Sequence, residues 1–370
     1  MQLSLRIGRW FAQPGLAAAL GAAVLVALLC GRAWPADQSG LGQITSAESA
    51  EATELWRGWT DPLEHFWTTA PAATVWTIDY RVQQMFDSHT SYQFGTPPQF
   101  GPPQYTPVSK LDWSLDSTWT GLRLGVQKPN WDLHFEWLTT LGINGSMEDF
   151  DWNINDPRDD PTRLDSLSSS SERWNDGQKV EIEGDYRCME RLLGLPIEFW
   201  PLAGFRFQRF DITGTNAVQI VPPDGPLPPP FDGDLITFNQ QYYIGYAGAQ
   251  LRAAIHCWDR GPITLTLQAD YGATAGYNVD HHLFYEYFGV HRYTMESTTG
   301  GALHFALTAE TLLNKRLSLG LQADHMEIST TGSHRWVETG ATTPVDETWS
   351  NGVSVSSSQT SLTFFLRLRI

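Results

Sequence analysis

Residues 131–138 read WDLHFEWL, and their alternation decides the fold class. One side of an extended chain would carry Trp131, Leu133, Phe135 and Trp137, and the other side would carry Asp132, His134, Glu136 and Leu138. A hydrophobic period of two residues is typical of a β-strand. The stretch therefore predicts a strand with one aromatic and aliphatic face and one mostly charged face.

The same alternation returns in four later stretches: KVEIEGDYR at 179–187, ITLTLQADY at 263–271, ALHFALTAE at 302–310 and LTFFLRLRI at 362–370. A soluble β-sandwich also alternates, and it is the alternative interpretation of these strands. In an outer-membrane barrel, lipid contacts the apolar rows and a watery lumen takes the charged rows. Closure also leaves no unpaired strand edge in hydrocarbon. The sequence therefore favours a barrel.

Ten strand-like segments alternate with short and long connections. The segments lie near 75–92, 108–124, 131–145, 177–190, 197–213, 235–256, 262–280, 298–312, 317–331 and 353–370. The long connections lie near 93–107, 146–176, 214–234, 281–297 and 332–352, and long loops are external in such barrels. Because the segments exceed the roughly 9–11 residues needed to cross a bilayer, we predict an all-β, ten-stranded antiparallel transmembrane β-barrel whose strands extend above the membrane.

The first 36 residues differ in composition from the rest of the chain. Arg6 and Arg9 precede the apolar stretch GLAAALGAAVLVALLC, and GRAWPA follows it. This layout is typical of a secretory signal peptide; a single-span anchor and lipid attachment at Cys30 are the alternatives. We predict a signal peptide at 1–36, an N-terminal periplasmic extension at 37–73 and a transmembrane β-barrel at 74–370.

The chain carries a formal net charge of -17. Such an acidic surface repels nucleic acid and favours cationic partners. After the predicted cleavage only Cys188 and Cys257 remain, and two cysteines do not make a disulfide framework. We expect both to be free thiols.

Two carboxylates stand two residues apart in GSMEDFDW at 145–152. In an extended chain Asp149 and Asp151 point to the same side, and at close range they cannot both ionise freely. The stretch NVDHH at 278–282 likewise puts Asp280 and His282 two apart, and the even residues of that strand face the lumen. A carboxylate beside a neutral imidazole makes a general base near neutral pH.

The acidic pair raises a register problem. If even residues from Asp132 onward face inward, Asp149 and Asp151 face lipid unless the parity shifts. A bulge or turn at Gly142 or Gly145 is the simplest means. The alternative for all four residues is a solvated acidic and histidine-rich rim. A metal site at Asp280, His281 and His282 is not expected, because adjacent ligands from one strand rarely close a coordination sphere.

Four stretches in order carry a resemblance to a known family: VSKLDW at 108–113, WLTTLGINGSMEDFDW at 137–152, QYYIGYAGAQLR at 241–252 and NVDHH at 278–282. With them, residues 75–370 resemble the omptin family of outer-membrane aspartate/histidine proteases. The resemblance implies an aspartic-type endopeptidase with its active site facing the exterior. Asp149 and Asp151 would position the water, and Asp280 with His282 would activate it.

The resemblance is incomplete at the positions that form the family's specificity pocket. Asn278 stands where the family has an acid of its specificity pocket, and the other pocket acid falls near His89, with Asp87 as a substitute. Arg209 matches a lipopolysaccharide-binding position. The implied partners are a peptide or protein substrate, for which the acidic charge favours a cationic one, and outer-membrane lipid.

We expect a monomer without a cofactor, and a lipopolysaccharide requirement is left open. The alternative function is a non-enzymatic outer-membrane barrel on an omptin-like frame: a narrow pore, an adhesin or a structural protein. A ten-stranded lumen is largely filled by side chains, which disfavours wide-pore transport.

Overall fold

The computed structural model describes residues 74–95, 108–142, 145–152, 164–221, 227–256, 262–340 and 343–370. The predicted signal peptide at 1–36, the predicted extension at 37–73 and Cys257 lie outside these ranges. What the sequence analysis says of them therefore stays a prediction. Cys188 is exposed and free. Among the described residues, no helix is long and apolar enough to cross a membrane.

The described residues form thirteen strands. They are β1 Val75–Met85, β2 His89–Phe94, β3 Ser109–Ser114, β4 Ser117–Lys128, β5 Trp131–Gly142, β6 Gly145–Trp152, β7 Leu164–Tyr186, β8 Ile197–Val221, β9 Asp234–His256, β10 Pro262–His281, β11 His291–Leu312, β12 Leu317–Thr339 and β13 Val345–Arg369. A short 3-10 helix at Leu283–Phe288 connects β10 to β11.

The strands close into a ring of ten, as predicted. Strand β1 pairs antiparallel with both β4 and β13, and this closes the barrel. Each of the first three crossings breaks into a lower and an upper strand, so β2, β3 and β6 replace β1, β4 and β5 between β13 and β7 near one end. We call this end the rim. The breaks fall at Asp87, at Leu115–Asp116 and after Gly142, and Asp87 and Gly142 adopt positive φ values of 50° and 110°.

The lower half of the barrel has the two faces that the alternation predicts. Outward side chains form an exposed apolar belt: Trp76, Ile78, Tyr80, Leu122, Leu124, Leu133, Phe135, Trp137, Ile182, Phe205, Leu267, Tyr271, Leu321, Leu362, Phe364, Leu366 and Leu368. Asp132, Glu183 and Asp185 point the other way and are buried. The belt is suited to hydrocarbon and the interior is polar.

Arginines neutralise the acids of the lower lumen. Arg206 binds Asp270 through two hydrogen bonds, at 2.6 Å and 3.0 Å, and its Nε lies 3.1 Å from Glu181. Arg367 binds Asp79 through two bonds of 2.8 Å each. Paired, hydrogen-bonded charges are the form in which ions tolerate burial. The acids at these positions of the lumen are therefore paired with arginines rather than left as isolated buried charges.

Above this layer the walls meet through an aromatic and aliphatic core. Trp113 of β3 stacks on Phe238 of β9 with ring centroids 4.9 Å apart, although these strands lie on different walls. Tyr92, Trp119 and Phe210 are fully buried in the same cluster. This core separates the ion pairs of the belt from the rim and forms the floor of a cleft.

The predicted loop boundaries are wrong at the rim. Much of 146–176, 214–234, 281–297 and 332–352 is strand, because β6, β7, β8, β11, β12 and β13 extend into these ranges. Above the membrane the outer face of a strand contacts water, so no outward apolar row is required there. The serine-rich stretch SLSSSSERWNDG at 166–177 looks like a loop in sequence and is part of β7.

Candidate active-site cleft

The acidic pair lies on the inner face of β6. Met147 is buried, whereas Ser146 and Glu148 are exposed, so odd residues point inward in this strand. In β5 the even residues Asp132 and Leu138 point inward. The parity therefore changes between Gly142 and Gly145, as the register argument required. Asp149 and Asp151 consequently share one side of the rim wall.

A buried carboxyl group lies against the glycine at the start of β6. A Cβ atom at Gly145 would overlap Glu172 Oε2 of β7. Glu172 Oε1 accepts a hydrogen bond of 2.8 Å from the Ser114 amide, whereas Oε2 has no partner. Burial raises the pKa of Glu172 to about 8.

Glu172→Gln is expected to stabilise the barrel at pH 8. The unfolded carboxyl ionises near its ordinary pKa of 4.5 and the folded one near 8, so wild-type stability declines as pH rises from about 4.5 to about 8. Glutamine keeps the acceptor for Ser114 and does not ionise. Urea unfolding at pH 4 and pH 8 should show a gain of roughly 2–4 kcal/mol at pH 8 only. Equal effects at both pH values would contradict a buried ionisation.

The opposite wall of the cleft carries Asp280. Its side chain is fully buried near the upper end of β10. Thr294 Oγ1 of β11 donates a hydrogen bond of 3.2 Å to Asp280 Oδ2, and Asp280 Oδ1 has no partner. Asp280 is close enough to Asp149 for its charge to raise the pKa of Asp149. The two predicted acidic positions therefore face one cleft.

His282 departs from the arrangement that its spacing predicts. Strand β10 ends at His281, and the φ and ψ of His282 are -82° and 83°, so the strand alternation does not extend to this residue. Its imidazole, within the described part of the chain, forms no direct hydrogen bond with Asp280. It packs near Tyr285, with ring centroids 6.0 Å apart. Burial first, then the charge of Arg292, lowers the pKa of His282 to about 3, so the ring is neutral.

A second imidazole, His334 of β12, does have a carboxyl partner. His334 Nδ1 lies 2.8 Å from Glu296 Oε1 of β11. The Tyr92 hydroxyl lies 3.3 Å from both His334 Nδ1 and Thr294 Oγ1. This chain of contacts connects His334 to Asp280. Burial lowers the pKa of His334 to about 4 and raises the pKa of Glu296, so the pair is a neutral hydrogen bond rather than an ion pair.

Neither Glu296 nor His334 was among the residues that the sequence indicated. Both keep the even, inward parity of their strands, which continues upward from His304 in β11 and from Met326 in β12. The predicted strands stopped at Thr298 and Thr331, short of both. Extending the parity to the ends of β11 and β12 would have found them.

The wall around Asp280 is rich in polar atoms without partners. Asn278, which the resemblance puts in the substrate pocket, is buried. Neither its Oδ1 nor its Nδ2 has a hydrogen-bond partner among the described residues. Its register neighbours are Gln240 of β9 and Glu296 of β11. Within the described ranges, hydrogen-bond partners are also lacking for Gln240 Oε1, Tyr242 OH, Asp280 Oδ1 and Glu296 Oε2 on this wall and for Asp149 Oδ1 on the opposite wall. Such groups are costly to bury and suit a polar ligand.

The other two predicted binding residues lie outside the cleft. Asp87 is exposed in the break between β1 and β2, beside Asp112 and Glu148 in a shallow depression on the outer face. Its position does not support a role in place of the missing pocket acid. Arg209 is half-buried on the outer wall, where a lipid contact requires it, but its guanidinium lies 2.9 Å from Asp211 and 3.5 Å from Asp176.

The cleft acids differ in one respect from those of the lower lumen. Among the described residues, no lysine or arginine forms an ion pair with Asp149, Asp151, Asp280 or Glu296. Burial raises the pKa of all four, and neighbouring carboxylates add to the effect at Asp149 and Asp280. Buried carboxyls with raised pKa values in a cleft are a mark of functional sites. The cluster can hold protons and water at neutral pH.

The barrel and its cleft can be compared with solved structures. The outer membrane protease OmpT from Escherichia coli aligns with 82% of this chain and 100% of its own, at 15% sequence identity and a TM-score of 0.66. This chain has the omptin fold. The outer membrane protein OprG from Pseudomonas aeruginosa aligns at 10% identity over 81% of this chain and 96% of its own, with a TM-score of 0.34.

The translocator domain of the autotransporter NalP from Neisseria meningitidis aligns at 8% identity over 86% of this chain and 97% of its own, with a TM-score of 0.30. No protein-family model matches the sequence. No curated protein matches it either. The omptin fold that the four motifs predicted is therefore confirmed by structure alone.

Proposed function

We propose that this protein is an outer-membrane endopeptidase whose cleft, open to the exterior, hydrolyses peptide bonds with an activated water molecule. The observation that carries the proposal is a group of four carboxyls without a cationic partner among the described residues: Asp280 and Glu296, which are buried, and Asp149 and Asp151, which are half-buried. The lower lumen, in contrast, pairs buried acids such as Asp79, Asp185 and Asp270 with arginines. Leaving four acids unpaired costs stability, and chemistry at the cleft accounts for that cost.

The mechanism needs a held water and a base. Asp149 and Asp151 share the Ser109 hydroxyl as a hydrogen-bond partner, and in the proposal they also bind the attacking water and share a proton. Neutral His282 takes a proton from that water as its oxygen attacks the scissile carbonyl carbon. When the C–N bond breaks, the proton passes to the leaving amine, and no covalent intermediate forms. In the proposal Asp280, on the opposite wall, binds the same water through Oδ1 and does not contact the imidazole directly.

The substrate proposal follows from charge. The protein is acidic overall, and the cleft presents carboxyls and unpaired acceptors, so a cationic peptide segment is the favoured ligand. Lipopolysaccharide dependence and a monomeric state remain predictions.

Digestion of a peptide library by the purified, lipid-reconstituted protein tests the function. The expected result is new peptide termini clustered at one residue class, with basic residues enriched near the cut.

A non-enzymatic pore is the second candidate, favoured by a polar cavity of about 280 Å³ in the lumen, lined by residues such as Arg81, Glu136 and Arg206. Ion conductance in planar bilayers without any cleavage would support the pore and reject the protease.

His334→Ala is expected to lower kcat by about tenfold, less than the loss from His282→Ala, which removes the general base. The reason is position: His334 is connected to Asp280 through contacts with Tyr92 and Thr294 and, in the proposal, does not contact the water directly. The readouts are kcat and KM measured separately, with KM nearly unchanged for His334→Ala. His89→Ala, on the outer face, is the matched control. A larger loss from His334→Ala than from His282→Ala would reverse the assignment of the base.

A further inference from the structure

Three side chains of metal-ligating type converge at the rim outside the cleft. They come from three successive elements: His281 ends β10, Glu286 lies in the 3-10 helix and His291 begins β11. His281 Nε2 and His291 Nδ1 each lie 2.9 Å from Glu286 Oε1. One donor atom from each residue lies within 4.8 Å of the other two. Both imidazoles thus point at a single carboxylate oxygen.

The local backbone and packing hold this arrangement. The His281 ring stacks on Tyr293, with centroids 4.1 Å apart and planes within 15°. Gly289 has a φ of 74°, and its amide donates a hydrogen bond of 3.0 Å to the Glu286 carbonyl. This turn brings the chain back so that His291 faces Glu286. The ligand atoms are therefore positioned by elements that do not depend on a metal.

We propose that His281, Glu286 and His291 bind a divalent transition-metal cation, with Zn²⁺ as the best fit. Two imidazoles and one carboxylate are a ligand set that Zn²⁺ uses with a water in the fourth position. Imidazole nitrogen disfavours Ca²⁺ and Mg²⁺, which prefer oxygen. Glu286 and His291 are exposed, so an ion has direct access from solvent, and the negative protein charge attracts cations.

A second cluster in the described residues, His134, Glu183 and Asp185, satisfies the same distance criterion. It does not carry a proposal, because cations of the protein already occupy it. Arg252 lies 3.0 Å from Asp185, and Arg123 contacts His134. At His281, Glu286 and His291, no arginine or lysine of the described chain forms an ion pair with Glu286.

A bound ion would join the ends of β10 and β11 across the connecting segment that contains His282. The site is separate from the proposed catalytic groups, so metal binding does not depend on protease activity. An ion that binds the folded state also stabilises it by mass action.

Zinc titration calorimetry on the untagged, detergent-solubilised protein tests the site. We expect one Zn²⁺ per chain, and a loss of affinity of at least about 10–100-fold in each of His281→Ala, Glu286→Gln and His291→Ala, since even outer-shell partners cost that much. His89→Ala removes an exposed histidine elsewhere and should leave binding unchanged. Heat-modifiable migration on gels verifies that each variant is folded.

Cobalt substitution gives a second readout. Co²⁺ in a four-coordinate site should produce intense visible absorption in the wild type and in His89→Ala, and none in Glu286→Gln. Zinc binding that is equally tight in all three site variants, or no binding by the wild type, would overturn the proposal.

Discussion

Asp149→Ala is expected to reduce kcat/KM for peptide hydrolysis by about 10²–10⁴-fold, the range that general acid–base groups contribute. Asp149 is half-buried on the inner face of β6, its pKa is raised by desolvation and by the charges of Asp151 and Asp280, and its Oδ1 has no hydrogen-bond partner among the described residues. In the proposed mechanism it holds the attacking water. Removing it eliminates an interaction that matters most in the transition state.

The same variant should not destabilise the fold. A buried carboxyl with a raised pKa and an unsatisfied oxygen opposes folding at neutral pH, so its removal is expected to be neutral or stabilising. Glu148→Ala is the matched control, because Glu148 is the adjacent acid on the same strand and faces outward. Retained activity in Asp149→Ala, or an equal loss in Glu148→Ala, would exclude the assigned role.

Arg206→Ala is expected to destabilise the barrel by about 3–5 kcal/mol, the usual cost of breaking a buried ion pair by removing one partner. Arg206 binds Asp270 twice, contacts Glu181 and stacks on the Tyr246 ring at 3.7 Å. Without it, the contact of Asp270 with His304, at 2.8 Å, remains among the described residues. Urea unfolding of the detergent-solubilised protein measures the loss.

Arg209→Ala is the control for Arg206→Ala. The two arginines lie on the same strand, but Arg209 faces outward with about a third of its side chain exposed, in pairs with Asp176 and Asp211. Half-exposed pairs contribute about 1 kcal/mol or less. Equal destabilisation by the two changes would contradict the view that the lumen network, rather than net charge, stabilises the barrel.

How much could be predicted from sequence depends on what each part of the chain contacts. Strands β5, β7, β10 and β13 were predictable over their lower halves because hydrocarbon demands an apolar outward row and the lumen demands a polar inward one. Where strands project into water, an outward apolar row is no longer required. The extents of β7 and β12 at the rim were consequently mistaken for loops.

Some residues of the candidate site could likewise be predicted from strand parity, and others could not. Asp149 and Asp280 could be assigned to one cleft because parity arguments hold within strands, once a break near Gly142 is allowed. The direct Asp280–His282 contact that the spacing predicts is not found among the described residues, because His282 lies one residue past the end of β10, where local φ and ψ set the side-chain direction. Glu296 and His334 obeyed parity but lay beyond the predicted strand ends.

A double-mutant cycle on peptide cleavage tests the central claim most directly. That claim is that Asp149 on one wall and Asp280 on the other act on a single water molecule. If they do, Asp149→Ala and Asp280→Ala are strongly non-additive, as for residues that act as a unit. The double variant should then lose little more kcat/KM than the slower single variant. Losses that multiply, or cleavage by the double variant at the wild-type rate, would contradict the account.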